Sequence, residues 1–299
     1  MEVSLKSLLD SDGPIITDGA MGTMLFSMGL ERGAAPVVWN VERPETIGSV
    51  HRAYIEAGAQ IILSNTFVAN RHNLSRNNLS DRVLELNTAA VKIAQGEANR
   101  SDHPVVVAGN IGPTGGIVAS YGDVPYETAV DIFKEQAAAL AEGGATLFWI
   151  ETIENLEEMN AALEGARQAA PAIPVVATMS FGTNQNINRT TYGVTHEQAA
   201  DLLGGGGLTA WGANCGLGLT AVEKAIEGMR AHKPDSPLVA KANAGIPALQ
   251  NDLTVYPSTP EDMAAFAIAV RHLGARIIGA CCGSTPAHIK AMRDALKSQ

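Results

Sequence analysis

Three cysteines carry the most distinctive chemistry in this chain: Cys215 and the adjacent pair Cys281 and Cys282. Thiolates are nucleophiles and soft metal ligands, and three cysteines in 299 residues, two of them neighbours, make a poor disulfide framework. Zinc favours thiolate sulfur, and a catalytic zinc site commonly takes three protein ligands and keeps a fourth position open. The cysteine count matches. In a regular strand Cys281 and Cys282 would point to opposite faces, but Gly283 follows and permits a turn that lets both sulfurs face one ion. Cys215 alone would read as a small buried hydrophobe; the three together favour a metal. His288, close to the pair, lies one turn into a helix opened by Ser284, Thr285 and Pro286, and reads as a first-turn residue, not a fourth ligand.

These cysteines need elements to bring them together. Short apolar, β-branched runs recur at 14–17, 60–64, 104–108, 145–150, 174–178, 208–213, 237–240 and 275–279, giving eight candidate strands. Segments with apolar residues at three- and four-residue spacing alternate with them, at 45–57, 126–142, 156–169, 196–203, 221–232 and 260–273, and a further one at 286–296 closes the chain. Strands alternating with helices imply a parallel sheet, and eight such units in one chain of this length predict a single (β/α)8 TIM barrel over 1–299. A doubly wound open sheet is the rival. A weak internal echo at 56–63, 142–149 and 272–279, where a helix stops at glycine and a strand follows, suits equivalent units.

In a parallel barrel the active site gathers at the C-terminal ends of the strands. The predicted runs end on Asp18, Asn65 with Thr66, Asn110, Glu151 with Thr152, Ser180, Asn214 with Cys215, Asn243, and Cys281 with Cys282. Any one could simply cap a turn; together they outline a polar rim. Composition narrows the partners. With 31 acidic against 21 basic residues the net charge is −10, which argues against nucleic acid and anionic membranes. No run approaches the roughly 18 apolar residues of a membrane span and no basic–apolar leader opens the chain, so a cytoplasmic enzyme is expected.

At Gly212-Ala-Asn-Cys-Gly216 and Gly279-Ala-Cys-Cys-Gly-Ser-Thr-Pro-Ala-His-Ile289 the sequence resembles the homocysteine S-methyltransferase family, which includes betaine–homocysteine methyltransferases and the homocysteine module of cobalamin-dependent methionine synthase. Thr17–Thr23, Asn65–Phe67, Gly112-Pro113, Ile150–Thr152 and Asn243–Gly245 extend the likeness along nearly the whole chain. The resemblance implies a zinc ion on Cys215, Cys281 and Cys282 with homocysteine sulfur in the fourth position. It further implies Asp18 and Glu151 at the substrate ammonium, Asn65 and Thr66 in the region that helps hold its carboxylate, and Asn243 able to occupy the metal's vacant position; Ser180, at its strand end, and Asn243 are also expected at the substrate. An asparagine at 243 is like the cobalamin-type branch, whereas Thr152 stands where animal betaine enzymes have tyrosine.

No folate-, cobalamin- or adenosylmethionine-binding segment follows the last predicted helix, so a diffusible donor is expected, betaine or a related small onium. Aromatic faces attract such cations, and Trp39, in the connection after the first strand, is the expected donor contact among Trp39, Tyr121, Tyr126 and Tyr192. The alternatives are a methyl donor on methylcobalamin or a separate corrinoid protein, and, from another class, a cysteine-based redox sensor or a thiol-binding module.

Overall fold

The computed structural model describes residues 3–31, 33–119, 122–182, 186–250 and 253–298. Eight parallel strands form the centre: β1 (Ile15–Ile16), β2 (Ile61–Leu63), β3 (Val106–Ile111), β4 (Leu147–Ile153), β5 (Val175–Met179), β6 (Ala210–Cys215), β7 (Leu238–Ala242) and, after an antiparallel hairpin of β8 (Ala248–Gln250) and β9 (Leu253–Val255), β10 (Ala275–Ala280). Their order is β1-β10-β7-β6-β5-β4-β3-β2. A parallel bridge between Thr17 and Ile61 brings the two edges together, so the eight strands form a nearly closed (β/α)8 barrel. Each predicted run overlaps one of these strands.

Side chains alternate along a strand, and here the alternation sorts the core into two layers. Ile15, Ile61, Leu63, Val106, Ala108, Leu147, Trp149, Val176, Ala210, Val239 and Ile277 form one buried cluster with Leu5 and Leu8. This is the barrel interior, with the first helix, Leu5–Leu9, packed into it. The intervening residues, such as Ile62, Val107, Phe148, Ala177 and Ile278, join the larger cluster under the surrounding helices. Continuing the inward set by two residues reaches Asn110, Glu151 and Lys241, and continuing by four from Ile277 reaches Cys281, just past the end of β10. The period that fills the interior with apolar groups therefore also aims polar ones at its C-terminal mouth.

The helices Pro44–Ala57, Tyr126–Glu142, Leu156–Ala169, His196–Gly205, Leu219–His232, Pro260–His272 and Pro286–Lys297 match the periodic segments, with boundaries moved by a few residues at most. One long helix, Val83–Ala98, escapes the sequence reading because Asn87 and Glu97 lie on its buried face and interrupt the apolar pattern. Asn87 is satisfied there by donating to the Ala69 and Val83 carbonyls at 2.9 and 2.7 Å. At all three echo junctions the glycine, Gly58, Gly144 or Gly274, has positive φ, which ends the helix and starts the strand. No helix among the described residues is long and apolar enough to cross a membrane.

Candidate metal and substrate site

The three sulfurs of Cys215, Cys281 and Cys282 lie within 4.8 Å of one another, and all three cysteines are free. Tetrahedral zinc with sulfur at about 2.3 Å places ligand sulfurs about 3.8 Å apart, so the donor set and its spacing fit such an ion. Local backbone explains the gathering. Strand β10 ends at Ala280, which puts both adjacent cysteines in the turn beyond it, and Gly283 has φ 79°. A side chain at 283 would collide with the ring of Tyr256, so glycine is needed both for the turn and for that packing. Cys215 ends β6 with φ 60°, a left-handed conformation that turns it out of the strand alternation.

Hydrogen bonds from Cys215 and then Cys281 hold the Cys282 thiol far below its ordinary value, to about 3, while Cys215 is raised by its hydrogen bonds to Cys281 and Cys282. Hydrogen bonding within the cluster therefore favours the thiolate form of Cys282. The Tyr256 side chain, just beyond β9, also hydrogen-bonds Cys282.

A cavity of about 410 Å³ opens on the cluster, lined among others by Asp18, Asn65, Thr66, Asn110, Glu151, Lys241 and the three cysteines. Asp18 accepts from the Leu63 amide at 2.7 Å, and burial raises its carboxyl to about 6. Glu151 accepts from Asn110 Nδ2 at 3.0 Å through Oε1, whereas Oε2 has no hydrogen-bond partner; burial raises this carboxyl too. Between them lies Lys241, 2% exposed, with Nζ 3.4 Å from Asp18 Oδ1 and 3.7 Å from Glu151 Oε2. Burial pulls the Lys241 ammonium down, but Glu151 and Asp18 outweigh it, so its value is raised. Two anions facing one cation leave one negative charge, which suits an incoming ammonium.

Sequence reasoning missed Lys241. The apolar run at 237–240 stops at the residue before it, yet β7 continues to Ala242. The available signal was a lone lysine between alanines in an otherwise apolar strand. Tyr256 was missed as well, since the short hairpin before it lacks a strong pattern.

The remaining expected residues differ in how far their polar atoms are already engaged. The Asn65 amide donates to the Pro36 carbonyl and to Asn40 Oδ1, both at 2.9 Å, and Thr66 Oγ1 donates to the Asn110 carbonyl at 2.6 Å. Their side-chain donors are therefore committed within the protein. Ser180, fully buried, and Asn243, whose Nδ2 donates to the Gly216 carbonyl at 2.9 Å, are not among the residues lining that cavity, and Ser180 Oγ and Asn243 Oδ1 have no hydrogen-bond partner. His288 has Nδ1 against the Thr285 amide and Nε2 3.0 Å from the Ser258 carbonyl, which commits it to its helix cap.

The expected donor contact, Trp39, is not among the residues lining this cavity. It is 7% exposed, packs in the core, and has the Arg43 guanidinium 4.6 Å from its ring centroid, so its cation-binding face is already covered. Tyr126 opens a helix and donates to Glu164 at 2.8 Å, Tyr192 is a 46% exposed loop residue, and Tyr121 lies outside the described residues. The cavity's aromatic residues are instead Phe26, Phe67 and Tyr256.

A barrel with a cluster of three thiols beside two buried carboxylates defines the class, and comparison with known proteins gives the family. The homocysteine S-methyltransferase family profile matches residues 15–296, and the chain belongs to that family of methyltransferases. It is 31% identical to a methionine synthase of Mycobacterium tuberculosis and 30% identical to one of Mycobacterium leprae, over 97% and 94% of this chain. The chain spans about a quarter of those relatives, 25% and 24% of their lengths. Among solved structures, the metallated form of the homocysteine methyltransferase MmuM from Escherichia coli has a TM-score of 0.81 at 25% identity, covering 97% of this chain and 99% of that one. Its oxidized form has a TM-score of 0.80 at 26% identity, covering 97% and 98%.

Proposed function

We propose that this chain is a barrel domain that methylates homocysteine to methionine, with zinc held by Cys215, Cys281 and Cys282. The observation that carries this reading is the three sulfurs within 4.8 Å at a cavity that also holds Asp18 and Glu151. When bound, zinc would keep the substrate sulfur in its thiolate form at neutral pH, where a free thiol with a pKa near 8.5 is mostly protonated. Asp18 and Glu151 receive the α-ammonium, which offsets its desolvation, and Lys241 holds the pair at a single net negative charge. With their side-chain donors committed, Asn65 and Thr66 serve the carboxylate end through the backbone of their segment. Methyl transfer to sulfur is an in-line displacement, so these residues act by orienting the acceptor, and no general base is assigned.

For the donor, we infer a methyl-corrinoid presented by a protein carrier. The segments that follow β1, β3 and β7 expose Phe26, Met28, Ile117, Ile246 and Leu249, each 40% to 72% accessible, apolar surface suited to a large partner. The likeness to methionine synthases supports the same reading. A second reading, betaine or another small onium, is supported by Phe26, Phe67 and Tyr256 in the cavity wall. Zinc-loaded protein, homocysteine and each donor class in turn, with methionine as the product assayed, test both. Turnover with a methyl-corrinoid carrier but no onium supports the first, and the reverse supports the second. No methionine from any donor would overturn the function.

A further inference from the structure

The polar residue preceding Cys215 has a place in the site that neither the metal nor the substrate explains. Asn214 ends the inward set of β6 and is fully buried. Its Oδ1 accepts from the Thr152 amide at 2.9 Å and from Thr178 Oγ1 at 2.7 Å. Its Nδ2 donates to Thr152 Oγ1 at 2.7 Å and reaches Cys281 Sγ at 3.9 Å. One carboxamide thus touches β4, β5 and the turn after β10.

Both residues it controls through the backbone are in the left-handed region. Thr152 has φ 66° and Cys215 has φ 60°. That region is costly for a β-branched threonine and persists only where surrounding contacts enforce it. Thr152 directly follows Glu151, and Cys215 directly follows Asn214. The two strained positions therefore belong to the two halves of the site, the carboxylate and the thiolates.

We propose that Asn214 is a positioning residue that couples these halves: it fixes the backbone turn that aims Glu151 into the cavity and donates an N–H···S hydrogen bond to Cys281. The proposal rests on the zinc and homocysteine reading above. It predicts two separable losses when the carboxamide is removed. Loss of a hydrogen bond to a ligand sulfur weakens metal binding, and relaxation of Thr152 misdirects Glu151.

The test uses Asn214→Ala and the double variant Asn214→Ala/Thr152→Gly, with zinc affinity read by chelator competition and homocysteine affinity by calorimetry on zinc-loaded protein. Asn214→Ala should weaken zinc about 10–100-fold, the range for losing an outer-shell partner, and should weaken homocysteine as well. Glycine adopts positive φ without strain, so the double variant should recover part of the homocysteine affinity and none of the zinc affinity. In the cobalt-substituted protein, Asn214→Ala should also shift the sulfur-to-metal charge-transfer band. Unchanged zinc affinity and an unshifted band would overturn the proposal; so would recovery of zinc affinity by Thr152→Gly. Should Asn214→Ala fail to fold, cadmium-113 substitution of the wild type gives a readout without mutation. A scalar coupling from cadmium to an Asn214 Nδ2 proton through Cys281 supports the hydrogen bond, and its absence overturns it. If wild type binds zinc but no homocysteine, the functional reading fails, while the zinc and spectral readouts still decide the role of Asn214.

Discussion

The two ends of the barrel carry concavities of opposite character. At the N-terminal end a groove of about 1040 Å³ runs between the helices Pro44–Ala57 and Pro286–Lys297 and the turn before β3. It is the larger of the two, and its charges are conventionally paired: Glu97 takes Arg52 at 2.9 Å and Arg100 at 2.7 Å, with both arginines about half or more exposed. The C-terminal cavity is less than half that volume. There the charged side chains are buried, the ion pairs long at 3.4 and 3.7 Å, and Glu151 Oε2 and Asn110 Oδ1 lack hydrogen-bond partners. Volume alone would point to the wrong end. Unpaired buried polar atoms also occur elsewhere, as in His51 and Arg230, so what marks the mouth is their place on a cavity beside buried charges and thiols, where a ligand can satisfy them.

The comparison breaks most sharply at the cysteines. Cys215→Ala, Cys281→Ala and Cys282→Ala should each reduce zinc content well below one per chain and lower methyl transfer by more than about a hundredfold, since loss of even an outer partner costs up to that much. Metal analysis and methionine formation check this. Far-ultraviolet circular dichroism should be unchanged, because all three lie at the barrel mouth, outside the apolar clusters.

Next in size is the buried cation. Lys241→Met leaves Asp18 and Glu151 inside the barrel without their counter-charge, and a broken buried pair costs about 3–5 kcal/mol in urea unfolding. At the other end, Arg100→Ala removes a side chain 69% exposed and should cost under about 1 kcal/mol. Equal effects at the two ends would erase the distinction drawn between them.

Glu151→Gln should weaken homocysteine by about 1.5–3 kcal/mol while leaving zinc affinity nearly unchanged, as measured by calorimetry and chelator competition. A smaller effect is set by pH. Burial raises Asp18 to about 6, so lowering the pH through that value protonates it and removes a partner of the substrate ammonium. Homocysteine affinity of the zinc-loaded protein should therefore rise from about pH 5 to about pH 7 more steeply in wild type than in Asp18→Asn.

Much of this architecture is legible in the sequence because burial imposes a period. Eight strands stand out as apolar runs, and the polar residue after each marks the barrel mouth. The same rule fails where a polar side chain is buried on purpose. Lys241 cut its own strand short in the apolar pattern, and Asn87 with Glu97 concealed a sixteen-residue helix. Trp39 shows the converse: its position after β1 places it near the mouth, but burial packs its large ring inward against the core with Arg43 over one face, which spacing alone does not reveal. Which atoms of Asn65 and Thr66 are already bonded depends on contacts with distant segments, and spacing cannot supply those.

The central claim, that the three cysteines hold zinc and leave one position for the substrate thiol, is tested most directly by X-ray absorption at the zinc edge. Zinc-loaded protein should show three sulfur neighbours at about 2.3 Å, rising to four when homocysteine is added. A sulfur count below three without substrate, or one that stays at three with homocysteine bound, would contradict it.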